Sequence, residues 1–110
     1  MNLNIRWRAL PRSTTVDRHL ERRLAFALSR FETRLATVTA ELSDQNGPRG
    51  GADKRCRLQA RGPGLGHVIV EDTSSDLTEA IDRAADRMGR TVARIVERTR
   101  ILTDRELRKN

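Results

Sequence analysis

Residues 54–71 read KRCRLQARGPGLGHVIVE, and their pattern decides what kind of fold the chain adopts. Cys56, Leu58 and Ala60 alternate with Arg55, Arg57, Gln59 and Arg61, the two-residue period of a half-buried strand. Gly62-Pro63-Gly64-Leu65-Gly66 is dense in residues that reverse a chain. His67-Val68-Ile69-Val70-Glu71 then reads as a second, short strand whose buried face the pattern leaves open. A strand, a tight turn and a strand make an antiparallel pair.

Working outward, Val38, Ala40 and Leu42 alternate with Thr37, Thr39, Glu41 and Ser43, which predicts another strand before a loop over 44–53. Near the start, Leu3, Ile5 and Trp7 alternate with Asn4, Arg6 and Arg8. Pro11 stops that strand, and the Ser13-Thr14-Thr15 cluster offers a helix cap, with Thr14 and Asp17 as a weak capping box. Val16, Leu20, Leu24, Leu28, Phe31 and Leu35 recur at helical spacing and predict a helix over about 15–33. A second helix opens at Asp76 with Glu79 three residues on. Its apolar stripe runs through Leu77, Ile81, Ala84, Met88, Val92, Ile95 and Leu102. Its first half holds Asp76, Glu79, Asp82 and Asp86 and its second Arg90, Arg94, Arg98 and Arg100, the order that suits the helix dipole. The polar tail from Thr103 is expected to fray.

The predicted order is therefore β-α-β-β-β-α. A β-α-β unit followed by a meander makes the first two strands parallel and the later pairs antiparallel. Each helix carries one apolar stripe, so both lie on one face of a four-stranded mixed sheet, an α+β two-layer sandwich. A chain of 110 residues fits one domain, read as 1–103 with a polar tail over 104–110.

Composition narrows the function. There are 22 Lys+Arg against 15 Asp+Glu, a net charge of +7. The excess lies wholly in residues 1–61, with 13 cations and 6 acids, whereas residues 62–110 hold 9 of each. Residues 54–61 carry four cations and no acid. Such asymmetry fits nucleic acid or an anionic membrane surface, with a merely well-solvated surface as the plain alternative. No run approaches the ~18 apolar residues of a membrane span, and the polar start lacks a signal-peptide core. A single cysteine excludes a disulfide scaffold and a Cys-rich zinc site, and suggests a reducing compartment. His19 and His67 belong to no ligand-spaced cluster. A cytoplasmic protein with an anionic partner, no cofactor and no metal is the expectation.

The helices sort their charges. Arg83, Arg87, Arg90, Arg94 and Arg98 fall within roughly an 80° sector beside the core stripe of the second helix. Glu79, Asp82, Asp86 and Glu97 lie further round. On the first helix Arg18, His19, Arg22, Arg23, Arg30 and Arg34 fan out opposite Asp17, Glu21 and Glu32, with Phe26 in the middle of the fan. A guanidinium fork binds two phosphate oxygens at once, so two such ridges suit RNA. Phe26 reads equally as a helix-margin packing residue or as a stacking contact within an RNA interface.

No enzymatic motif is present. The glycine-rich loop over 47–51 lacks the Gly-Lys-Ser/Thr ending of a phosphate loop. Cys56 lies in phase with Leu58 and Ala60, which predicts a buried and inert thiol.

The β-α-β-β-β-α order, the loop DQNGPRGGADKRC over 44–56 and the helical stretch AIDRAADR over 80–87 resemble the short form of the ribosome hibernation promoting factor family, which includes the ribosome-associated inhibitor called protein Y. The resemblance implies a fold similar to a double-stranded-RNA-binding domain, with basic helices facing ribosomal RNA. It implies a non-enzymatic stress factor that occupies the messenger- and transfer-RNA channel of the small ribosomal subunit and inhibits translation. Longer members add a C-terminal domain that pairs ribosomes; this sequence ends at Asn110 without one, and a monomer when free is expected. Phe26 departs from the pattern of a uniformly basic face. Candidate RNA-binding residues are thus Arg18, Arg22, Arg23, Phe26 and Arg30 on the first helix, Lys54 in the basic strand, and Arg83, Arg87, Arg90, Arg94 and Arg98 on the second. A generic structured-RNA module, or a module that meets an acidic protein, remains the competing reading. No small-molecule substrate and no membrane is implied.

Overall fold

The computed structural model describes residues 1–45 and 53–108. Its elements follow the expected order: β1 (Asn2–Arg8), α1 (Thr14–Leu28), a 3₁₀ segment (Ser29–Arg34), β2 (Thr37–Asp44), β3 (Lys54–Gly62), β4 (Gly66–Ser74) and α2 (Leu77–Arg108). The sheet runs β1-β2-β3-β4. The β1–β2 pair is parallel, and the β2–β3 and β3–β4 pairs are antiparallel. The α+β sandwich read from the sequence is the fold observed.

Alternation settles the faces. Val38, Ala40 and Leu42, then Cys56, Leu58 and Ala60, then Val68 and Val70 are buried beneath Leu20, Leu24 and Leu28 of α1 and Ile81, Ala84, Met88 and Val92 of α2. The face of β4 that the sequence left open is therefore Val68 and Val70, with Ile69 turned outward. Burying a Leu side chain contributes about 1.5–3 kcal/mol, so the leucines of α1 are a main reason this helix docks.

Several local readings are corrected. The helix expected over 15–33 stops at Leu28, and Ser29–Arg34 tightens into 3₁₀ geometry. The tighter turn still buries Phe31 inside it and Leu35 just after it, so the apolar spacing alone read as one continuous helix. The cap of α1 is Ser13, whose Oγ accepts from the Val16 amide at 3.3 Å, rather than the Thr14 box. Asp17, freed from that box, turns inward and accepts from Trp7 Nε1 at 2.9 Å and Arg12 Nε at 3.0 Å. It ties α1 to β1 and is no part of a solvated acidic face.

At the other end of the chain α2 does not fray at Thr103 but continues to Arg108. Thr99 and Thr103 hydroxyls donate to the carbonyls one turn back, and Arg105 and Arg108 meet the negative end of the dipole. The helix thus runs past the core, and Leu102, expected in the apolar stripe, is exposed there with Leu107. The strand expected over 67–71 is longer, at Gly66–Ser74, because its edge pairs with β3 along nine positions.

Glycine is required at one close approach. A Cβ on Gly62 would lie 1.8 Å from the Arg34 carbonyl oxygen, where the end of β3 passes the end of the 3₁₀ segment. The start of α2 is as read: Asp76 Oδ1 accepts from the Thr78 amide at 3.0 Å. Most of the loop over 44–53 on which the resemblance partly rested, 46–52, lies outside the described residues.

Candidate nucleic-acid interface

The two helices pack side by side, and the chemistry of their contact decides which arginines stay free. His19 Nε2 donates to Asp82 Oδ1 at 2.7 Å. Arg23 donates through Nη2 to Asp86 Oδ1 at 2.7 Å, and its Nε lies 3.2 Å from Asp82, within pairing distance but not aimed for a hydrogen bond. Asp82 and Asp86, read from the sequence as a separate acidic flank, therefore form the seam between α1 and α2. Arg23 is a seam residue too, not a free member of the basic fan.

The arginine ridge of α2 divides along its length. Arg83 pairs with Glu79 and lies 3.9 Å from Asp72. Arg87 donates to the Glu71 carbonyl oxygen at 2.6 Å and to Asp72 Oδ2 at 3.2 Å, which clips α2 to the end of β4. Beyond them, Arg90 and Arg98 have no acidic partner among the described residues, and Arg94 touches only the Thr91 hydroxyl at 3.4 Å. On α1 and the segment after it, Arg18, Arg22 and Arg30 are likewise exposed and unpaired with any described acid. Arg30 sits with its guanidinium 4.8 Å from the centre of the Phe31 ring.

A groove between the helices brings part of this set together. Ala27, Gly89 and Ala93 line it, and Arg30, Arg90 and Arg94 stand around them with Asp86. The helices approach closely here because a Cβ on Gly89 would meet the Ala27 carbonyl at 3.1 Å. Phe26, one turn before Arg30, is 80% exposed and packs against nothing in the core.

Lys54 is elsewhere. It donates to Asp44 Oδ2 at 3.1 Å and Asp53 Oδ1 at 3.2 Å, and those bonds hold its pKa above the ordinary lysine value. It stands at the start of β3, away from the helical groove, as a partner of two carboxylates. Cys56 is fully buried, and burial pushes its thiol up to about 12, with the Asp72 charge a smaller contribution. That is the inert thiol expected from its phase in the strand.

Of the candidate arginines on the two helices and the segment between them, those unpaired with any described acid are Arg18, Arg22, Arg30, Arg90, Arg94 and Arg98. Sequence reasoning found all six but could not separate them from Arg23 and Arg87, whose acids come from other elements, or from Arg83, which meets Glu79 on its own helix and Asp72 of β4. No helix of the described chain is long and apolar enough to cross a membrane. Among the described residues no cluster of three or more His, Cys, Asp or Glu side chains is placed to hold a metal ion.

Comparison with known proteins places this arrangement. The crystal structure of the Thermus thermophilus Protein Y N-terminal domain is 30% identical, with a TM-score of 0.72 over 86% of this chain and 98% of that one. The structure of a ribosomal subunit interface protein from Coxiella burnetii shares the fold at 11% identity, with a TM-score of 0.74 over 86% of this chain and 96% of that one. Among curated proteins nothing matches. A family model described as Sigma 54 modulation protein / S30EA ribosomal protein matches residues 3–100, and the chain belongs to that family, the one to which the hibernation factors belong.

Proposed function

We propose that this protein binds the small ribosomal subunit through ribosomal RNA, occupies the channel of messenger and transfer RNA, and so inhibits translation under stress in the cytoplasm. The observation that carries this reading is the set of unpaired guanidiniums on one two-helix face, three of them around a shared groove. Family membership and the likeness to Protein Y support the ribosome as the partner rather than free RNA.

The physics of such binding is phosphate recognition by a pre-shaped plate. Arg90, Arg94 and Arg98 sit on rigid helix, so little order is lost when each fork meets two phosphate oxygens. Small residues in the groove let an RNA backbone approach the helices closely. Inhibition then needs no chemistry: a domain seated where messenger RNA runs excludes it by volume. Sedimentation with purified small subunits tests the reading. The protein should co-sediment at low salt, and messenger RNA should compete with it. A protein that stays at the top of the gradient, or prefers an equal mass of duplex RNA to intact subunits, would sink the proposal.

A further inference from the structure

Among the described residues no other element covers the outer face of the sheet, opposite the helices, and this face has its own arrangement of charge. Pairing aligns Arg6, Glu41, Arg57 and Glu71 in one row across all four strands. An alternating row of this kind would be expected to neutralise itself. It does not, because Arg55 takes both acids, with Nη2 3.3 Å from Glu41 and Nη1 3.8 Å from Glu71. Arg6, Arg57 and Arg61 are left without an acidic partner among the described residues. The Arg57 Nε is buried with no hydrogen-bond acceptor.

We propose that this sheet face is a second RNA-binding surface, on which Arg6, Arg57 and Arg61 take phosphates of a segment separate from the one held by the helices. The domain is then clamped between two stretches of RNA. The inference rests on the ribosomal reading for the identity of that RNA. Geometry suits an extended backbone: Arg6 and Arg57 are two strand spacings apart, about 10 Å, and Arg57 and Arg61 are separated by about 13 Å along β3. The next row, Asn4, Thr39 and Gln59, supplies amides and a hydroxyl of the kind that bond phosphate and sugar. A protein partner would be expected to find an apolar centre, but among the described residues Ile69 is the one large apolar side chain exposed on this face. The excess of positive charge in residues 1–61 also gains a place, since β1 and β3 contribute five arginines to this face.

The test compares three charge-matched variants of the whole protein for binding to small subunits across a salt series. The sheet variant is Arg6→Gln/Arg57→Gln/Arg61→Gln, the helix variant Arg90→Gln/Arg94→Gln/Arg98→Gln, and the control Arg100→Gln/Arg105→Gln/Arg108→Gln. The sheet variant should bind roughly tenfold more weakly or worse, with a log–log salt slope shallower by about two units. Its loss should add to that of the helix variant when the two are combined. A sheet variant no weaker than the control, or a combined variant no weaker than the helix variant alone, overturns the inference. Arg57 lies mid-sheet, so the exposed pair Arg6→Gln/Arg61→Gln is measured alongside and should lose more than one unit of slope. The same proteins titrated with protein-free ribosomal RNA keep the two ideas apart. If the wild type ignores subunits yet the sheet variant weakens RNA binding, only the ribosomal reading falls; if the sheet variant equals the control there too, the second surface falls.

Discussion

Replacing Arg30, Arg90 and Arg94 by Gln removes the three guanidiniums around the helical groove, and the structure gives the size of the effect. None of the three pairs with a described acid, so folding loses little: for Arg90 and Arg94 on α2 Gln keeps helix propensity close to Arg and exposed changes stay within about ±0.5 kcal/mol, and for Arg30 the lost contact with the Phe31 ring is worth about 0.5–1 kcal/mol. Binding loses up to three phosphate contacts. Each contact releases counterions worth roughly 0.7–0.9 in log–log salt slope, so the slope should become shallower by about two to three units. The informative control is Arg83→Gln/Arg87→Gln. These arginines share the ridge but are held by Glu79, Asp72 and the Glu71 carbonyl. Removing them costs pairs about half exposed, on the order of 0–1 kcal/mol of stability each, and should change the salt slope by less than one unit. The assay is subunit binding by sedimentation at a series of salt concentrations, with thermal melting by circular dichroism as the stability reading. If the paired set changes the slope as much as the free set, local pairing does not determine which arginines meet phosphate, and only total charge matters.

Phe26→Ala should leave the melting temperature unchanged, because the ring is 80% exposed, yet weaken RNA binding by about 1–3 kcal/mol if a base stacks on it; unchanged affinity would remove Phe26 from the interface. Gly62→Ala places a methyl group 1.8 Å from the Arg34 carbonyl oxygen, so urea unfolding should show a loss on the order of 1–3 kcal/mol, and a stability equal to wild type would mean that the 3₁₀ segment yields freely. Cys56 should react with a thiol reagent only on unfolding. Its folded pKa of about 12 against an ordinary 9.0 means the unfolded chain releases the proton first, so stability should be intact below pH 9 and fall by at most ~1.4 kcal/mol per unit above it. The chain has no tyrosine to obscure that window, and Cys56→Ala should flatten the slope between pH 9 and 10.5; a slope that survives the substitution would assign it elsewhere.

The sequence makes the layers of this fold legible because periodicity is local. Alternation at 38–42 and 56–60 and the helical stripe through Leu20, Leu24 and Leu28 each fix which face is buried without knowledge of any other element. What stayed hidden depends on elements far apart in sequence. Asp17 looks like a surface acid until Trp7 of β1 arrives to donate to it. Arg87 is indistinguishable from Arg90 on a helical projection, and only the end of β4 separates them. The 3₁₀ segment is hidden for another reason: Phe31 and Leu35 satisfy a helical spacing and a tighter one nearly equally well. The reach of α2 to Arg108 was missed because its last turns lack a core to face, and their stability comes from propensity, side-chain bonds to the backbone and the dipole.

The placement of acids, more than that of arginines, shapes the binding surface. On α2 the acids Glu79, Asp82 and Asp86 precede the free arginines, and each is engaged by a basic side chain: Glu79 by Arg83, Asp82 by His19 and Arg23, Asp86 by Arg23. Asp86 stands four residues before Arg90, a spacing that would ordinarily favour a pair between them. The α1 side chain claims it instead, and that choice both locks the helices together and leaves Arg90 unpaired beside the groove. On the sheet Arg55 plays the same part, holding Glu41 and Glu71 so that Arg57 between them is free. A surface built this way is rigid because its structural arginines are spent on carboxylates. It stays strongly positive because every acid near the groove or the row is already answered by a cation that holds the fold together.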